Sequence, residues 1–220
     1  MNKRSTEFTK SVEGVFDVRQ DRSQKSLDAF IESGIALLNQ MRFDELKVSD
    51  LVRHSGRSVG SFYKRFEDKE AFFRALQMSA VARDRRIIEY RLGRERLSSL
   101  SPPEVLDELV DTLADIFSSE VRGVLKESLL RILDPEDGWA LMRKSGQDIQ
   151  QGIVDRLKDA YPDRSSSETE RKLRFCYQVV VGVLQNDLVN DYHAFSTTDQ
   201  SVRSALKAVI ADHMKSTSSY

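Results

Sequence analysis

Apolar residues recur along this chain in steps of three and four, the spacing that lines one face of an α-helix. The first such stripe is Leu27, Phe30, Ile31, Gly34, Ile35, Leu38 and Met41. Before about residue 23 the chain is polar with scattered apolar positions, which predicts a flexible arm over 1–22. Val48, Leu51 and Val52 predict a short second helix, and Phe62, Tyr63 and Phe66 belong to a third. Asp68 is placed to cap a long fourth helix that starts at Lys69 and Glu70 and runs past Tyr90 to about residue 97. After Ser101, Pro102 and Pro103 a new stripe follows, Val105, Leu106, Leu109, Val110, Leu113 and Phe117, with the prolines in the first helical turn where their missing N–H does no harm.

Further helices are predicted from Val121 to Leu133, stopping at Asp134 and Pro135, and over about 136–160, ending ahead of Pro162. A strongly apolar helix over 168–190 carries Phe175, Val179, Val180, Val181, Val183, Leu184 and Leu188, and a last one covers about 199–214. No segment alternates as a strand would, and no internal repeat is present. The pattern predicts an all-α fold of about nine helices. It divides into the arm, a first helical domain over 23–76, and a second over 77–216 that the fourth helix enters.

Between the second and third helices stands Ser55-Gly56-Arg57-Ser58. Glycine suits the left-handed residue that ends a helix, having no Cβ to clash, and Ser58 can accept a hydrogen bond from a free N–H of the next helix. A helix, a tight glycine turn and a second helix form the unit that sets a recognition helix in the major groove of DNA.

Charge refines this. The 34 basic and 35 acidic residues leave a net charge of −1, so the chain does not coat nucleic acid through bulk charge. A local patch exists instead: between Val52 and Phe66 the charged residues are Arg53, Arg57, Lys64 and Arg65, with no acid among them. The arginine-rich stretch over 83–96 reads as a solvated helix end or as a face that pairs with acids on a neighbouring helix, ahead of a second DNA contact. Cys176 is the sole cysteine, which excludes an intrachain disulfide and fits a buried small hydrophobe in a reducing compartment. No apolar run approaches the roughly 18 residues of a membrane span. The start, with Lys3, Arg4 and Lys10 among polar neighbours, lacks the apolar core of a secretory signal. A cytoplasmic protein without membrane contact is expected.

The segment from about residue 26 to 76 resembles the DNA-binding domain of the TetR family of bacterial transcriptional regulators. That family's pattern is a helix ending in a glycine turn, then Ser-x-Gly-x-x-Tyr-x-x-Phe-x-x-Lys-x-x-Leu. Gly56, Ser58, Gly60, Tyr63, Phe66 and Lys69 match it, and Phe72 replaces the usual leucine. Arg57 departs from the apolar residue usual after the turn glycine, Ser55 from the common alanine, and Lys47 from the common Ser or Thr cap.

The resemblance implies a DNA-contacting set of Lys47, Arg57, Ser58, Val59, Gly60, Ser61, Phe62, Tyr63, Lys64 and Lys69. Tyr63 and Lys69 would hold phosphates, Gly60 would let the backbone approach the groove, and Phe62 stands on this list by position although its ring suits the core better than the groove. The resemblance also implies a homodimer in which the last two helices of each subunit pack together. Phe175, Val179, Val183, Leu184, Leu188, Leu206 and Ile210 are its candidate interface. Partners follow: double-stranded DNA carrying a roughly palindromic operator, and a small-molecule effector, with Trp139, Met142 and Tyr177 as candidate pocket-lining residues.

No Gly-rich phosphate loop, HExxH or Gly-x-Ser-x-Gly motif is present, and His54, His193 and His213 are too scattered for a metal site. Neither an enzyme nor a cofactor is expected. The competing reading is a helical interaction protein of the same fold that no longer binds DNA specifically.

Overall fold

The computed structural model describes residues 21–132, 140–190 and 196–216. Among these the structure is helical and without strands. The helices are α1 (Asp21–Leu38), α2 (Val48–Ser55), α3 (Val59–Tyr63), α4 (Lys69–Arg91), the single turn α5 (Arg94–Leu97), α6 (Pro102–Phe117), α7 (Arg122–Leu130), α8 (Ala140–Leu157), α9 (Ser166–Asn190) and α10 (Gln200–Lys215). The all-α expectation holds, and α6, α9 and α10 fall within two residues of their predicted bounds, whereas α4 stops at Arg91, short of the expected residue 97, and α5 follows as a separate turn. The predicted arm lies outside the described residues except where α1 begins.

The chain forms two compact units, Met1–Arg85 with Glu120–Met142, and Arg86–Ser119 with Arg143–Tyr220. The first therefore takes in α7 as well as α1 to α3 and most of α4, and extends beyond the stretch 23–76 expected from the pattern.

In this N-terminal unit five phenylalanines, Phe30, Phe43, Phe62, Phe66 and Phe72, are fully buried. The Phe62 ring lies 5.5 Å from Phe30 and 5.1 Å from Phe66, and Phe66 lies 4.9 Å from Phe72. Edge-to-face and tilted rings of this kind add to the large area each aromatic buries, which suits a small domain of short helices. Asp68 caps α4 as its position predicted, its Oδ1 accepting from the Ala71 N–H at 2.6 Å.

Helix α7 is tied to this unit by polar contacts. Asn39, just past α1, donates from Nδ2 to the Glu120 carbonyl at 2.7 Å and accepts from the Gly123 N–H at 2.8 Å. Gly123 lies against the Leu38 carbonyl, where a Cβ would collide with backbone. Gln77 of α4 donates to Ser128 at 3.0 Å in the interior, Arg42 reaches the buried Glu127 at 2.5 Å, and Arg83 bridges Glu32 and Glu120.

In the C-terminal unit α6, α9 and α10 pack on one another. Val105, Leu109, Val110, Val180, Leu184, Leu188 and Ile210 fill its core. One face of α6 is acidic: Glu108 meets Arg91 at 2.6 Å, Asp111 meets Lys207 at 2.6 Å, and Asp115 meets Arg203 at 2.6 Å and also Arg91. The arginine-rich stretch thus pairs in part with acids of a neighbouring helix, one of the readings its sequence allowed. Lys172 is buried and donates to the His213 and Ser216 carbonyls at 2.8 and 2.9 Å. These are acceptors at the C-terminal end of α10, and the Ser216 hydroxyl also donates to the His213 carbonyl at 2.8 Å. Cys176 is buried, and that burial pushes its thiol up to about 11.

Candidate nucleic-acid interface

Helix α2 starts at Lys47, whose backbone is extended and whose N–H donates to Asp50 at 3.1 Å. The lysine occupies the cap position, and the Asp50 carboxylate returns to accept from its backbone N–H, which satisfies one of the free donors at this helix end. The helix ends at Gly56, with φ +64, and the Arg57 N–H returns to the Val52 carbonyl at 3.2 Å. This six-to-one closure through a left-handed glycine turns the chain sharply. Ser58 then caps α3: its Oγ accepts from the Ser61 N–H at 3.2 Å and lies 2.9 Å from the Ser61 hydroxyl.

With the turn so fixed, α3 has an inner and an outer face. Phe62 points inward and is fully buried. Its place in the DNA-contacting set is therefore corrected: the ring meets Phe30, Phe66 and Phe72 instead of solvent. Arg57, Ser58, Val59, Gly60, Tyr63 and Lys64 are exposed, and Ser61 is half-buried. Val59 is 50 % and Tyr63 52 % exposed, large fractions for side chains of this size on a five-residue helix. Nothing stands within 4 Å of the place a Gly60 Cβ would occupy.

Lys69 is the second correction. Its Nζ donates to the carbonyls of Phe43 at 2.8 Å, Leu46 at 3.1 Å and Asp44 at 3.3 Å, and lies 4.5 Å from the centre of the Phe43 ring. All three ammonium donors are engaged in holding the loop after α1, which leaves none for a phosphate.

Arg53 and Asp50 pair at 2.8 Å on the exposed side of α2, and Arg57 reaches the Lys25 carbonyl at 3.4 Å. The sequence-based set contains Arg57 and Lys64 but not Arg53, which is 80 % exposed beside them. His54 places Nδ1 3.0 Å from Ser33 Oγ. The outer face thus carries cations around an apolar and hydroxyl-bearing centre, a surface suited to phosphates at its rim and base edges at its middle.

In the C-terminal unit a groove of about 560 Å³ runs between α9 and α10, lined among others by Val179, Gly182, Val183, Ala205, Leu206 and Val209. Phe175, Val183 and Val209 are exposed. Of the candidate interface residues, Phe175, Val179 and Val183 share this outer side, and Leu206 lines the groove. Leu184, Leu188 and Ile210 are buried in the unit's own core and are corrected accordingly. A helix apolar on most sides must split its residues between two partners, and the sequence did not mark the split. Gly182 and Val209, each three residues from a member of the set, were missed, as were Asn186, Asp187, Val202 and Ala205.

Trp139 lies outside the described residues. Met142 and Tyr177 belong to different units. Burial raises the Tyr177 hydroxyl above the usual phenol range, and the hydroxyl oxygen stands 3.0 Å from the position of a Gly146 Cβ.

A capped recognition helix with a cationic outer face defines a helix-turn-helix protein. Residues 30–76 match the family described as "Bacterial regulatory proteins, tetR family". The chain is 30 % identical over 102 residues to the uncharacterized HTH-type transcriptional regulator YwcC of Bacillus subtilis (strain 168), an alignment spanning 46 % of this chain and 44 % of that relative. It also shares its fold with a putative TetR-family transcriptional regulator from Rhodococcus sp., with a TM-score of 0.65 and 17 % identity over 86 % of this chain and 99 % of that one. Salmonella enterica GusR aligns with a TM-score of 0.61 and 15 % identity over 87 % of this chain and 96 % of its own. Residues 30–76 thus carry the DNA-binding domain described for the tetR family of bacterial regulatory proteins, and the described helices share the fold of the solved regulators. Among the described residues no helix is long and apolar enough to cross a membrane.

Proposed function

We propose that the chain is a cytoplasmic, dimeric, sequence-specific DNA-binding transcriptional regulator, acting as a repressor whose hold on its operator is modulated by a small-molecule effector. The observation that carries this reading is the division of α3. Phe62 anchors the helix in an aromatic core, and Val59, Gly60 and Tyr63 are left on an outer face flanked by Arg57 and Lys64. Arg57 and Lys64 would neutralise phosphates, fixing register, and Tyr63 would donate its hydroxyl to another.

The groove between α9 and α10 supports pairing with a second copy, because Gly182 and Ala205 let helices approach closely where Val179, Val183 and Val209 supply apolar area. A two-fold dimer would present two recognition helices to successive major grooves about 34 Å apart, so the operator would be roughly palindromic. An effector works in such a scheme only through different affinities for the DNA-competent and incompetent states. Tyr177 is our candidate for a polar contact to it.

Fluorescence anisotropy with DNA from upstream of the protein's own gene, at several salt concentrations and against a scrambled duplex, tests the proposal. Tight, sequence-selective binding with a steep salt dependence is expected. Equal weak binding to both duplexes, together with a genome-wide selection that recovers no site, would refute it.

A further inference from the structure

We infer that Val59 reads the C5-methyl group of a thymine in each operator half-site; this rests on the DNA-binding reading above. The outer face of α3 carries few groups able to question a base pair. From Ser58 to Tyr63 there is no Arg, Lys, Asn, Gln, Asp or Glu, the side chains that address base edges with paired hydrogen bonds. The two serine hydroxyls are committed locally, Ser58 Oγ to the Ser61 N–H and to the Ser61 hydroxyl 2.9 Å away, and the third hydroxyl, that of Tyr63, is the one assigned to a phosphate above. Gly60 offers backbone alone, and Phe62 is buried.

What remains at the leading turn of the helix is the Val59 isopropyl group, half exposed, beside a glycine that keeps the surface low. A β-branched residue loses side-chain freedom in a helix, and half of Val59 is left open to solvent, so much of its isopropyl surface is available to a partner outside the chain. Thymine displays the one apolar group of the four bases in the major groove, its 5-methyl. An exposed apolar side chain flanked by Arg57 and Lys64 is complementary to a methyl group lying between two phosphate strands.

The experiment starts from an operator selected out of a randomised duplex pool by the full-length protein. Each thymine of that operator is then replaced singly by uracil, which removes the methyl and keeps every hydrogen-bonding edge. Wild type and Val59→Ala are compared on every duplex. One thymine per half-site is expected whose replacement weakens wild-type binding roughly fourfold, and about 15-fold when both half-sites are changed, the scale set by one buried methyl-sized group. The same replacement should leave Val59→Ala binding unchanged, because the methyl has then lost its partner.

Wild-type binding indifferent to every uracil overturns the assignment, as does a uracil penalty that persists undiminished in Val59→Ala. The uracil scan on the wild type needs no variant, so a folding defect cannot obscure it. A selection that enriches no sequence overturns the DNA-binding reading itself and the thymine assignment with it. An operator indifferent to uracil overturns the assignment alone.

Discussion

Gly34 of α1 lies against Phe72 of α4 so closely that a Cβ on the glycine would stand 2.5 Å from the ring's Cζ, with both Leu76 methyls within 3.0 Å. The two helices approach each other through the missing side chain. Gly34→Ala should therefore overpack the aromatic core and lower stability by about 1–3 kcal/mol, read as a reduced urea midpoint without a change in slope.

Gly60 gives the opposite expectation. No atom lies within 4 Å of its would-be Cβ, so alanine fits and raises helix propensity, by up to about 1 kcal/mol. Gly60→Ala should raise the melting temperature and weaken operator binding, because the added methyl meets DNA rather than protein. A variant both more stable and equally tight would show that the DNA does not approach there.

Lys69 and Lys64 separate structural from electrostatic cations. Lys69→Met leaves the Phe43, Asp44 and Leu46 carbonyls short of a donor and should cost about 1–3 kcal/mol of stability, with the salt slope of DNA binding unchanged. Lys64→Met should leave stability within about 0.5 kcal/mol and flatten the salt slope by about one ion per subunit. Denaturation curves and affinities over a salt series distinguish the two.

Val183→Asp puts a charge on the exposed wall of the α9–α10 groove without disturbing the core residue Leu184 beside it. A buried, unpaired charge at an interface is strongly disfavoured, so the variant should sediment as a folded monomer where the parent sediments as a dimer. Unaltered sedimentation would place the subunit contact elsewhere.

Asp84 is buried in α4, its Oδ1 has no hydrogen-bond partner, and burial raises its carboxyl to about 7 against the opposing charge of Arg83. The folded state thus holds this proton more tightly than the unfolded chain. Below pH 3.8 the group is neutral in both states and costs nothing; as pH rises toward 7 the unfolded state gains an ionisation the folded state resists, and stability falls. Asp84→Asn should be more stable than the parent at pH 8, and the advantage should shrink steadily toward pH 4. Chemical denaturation at a series of pH values checks the slope.

The features legible in the sequence were local ones. Asp68 capping Ala71, Gly56 in the left-handed turn and Ser58 capping α3 are decided within four residues, where backbone donors and sterics admit few alternatives. The three- and four-residue stripes likewise fixed which segments are helical. Which side of a helix faces which neighbour was another matter. Val59 and Phe62 are both apolar and three residues apart, and only the packing of α3 against Phe30 and Phe72 buries one and exposes the other. Lys69 reads as a free cation until the fold brings three carbonyls from 23 or more residues away onto its ammonium. Leu184 and Val183 are adjacent apolar residues, one in the core and one on the groove wall, because α6 and α10 pack on a single side of α9. Hydrogen bonds to near neighbours are written in the sequence. The partner of a side chain across the fold depends on how whole helices settle against each other, and that is decided by the summed burial of residues far apart in the chain.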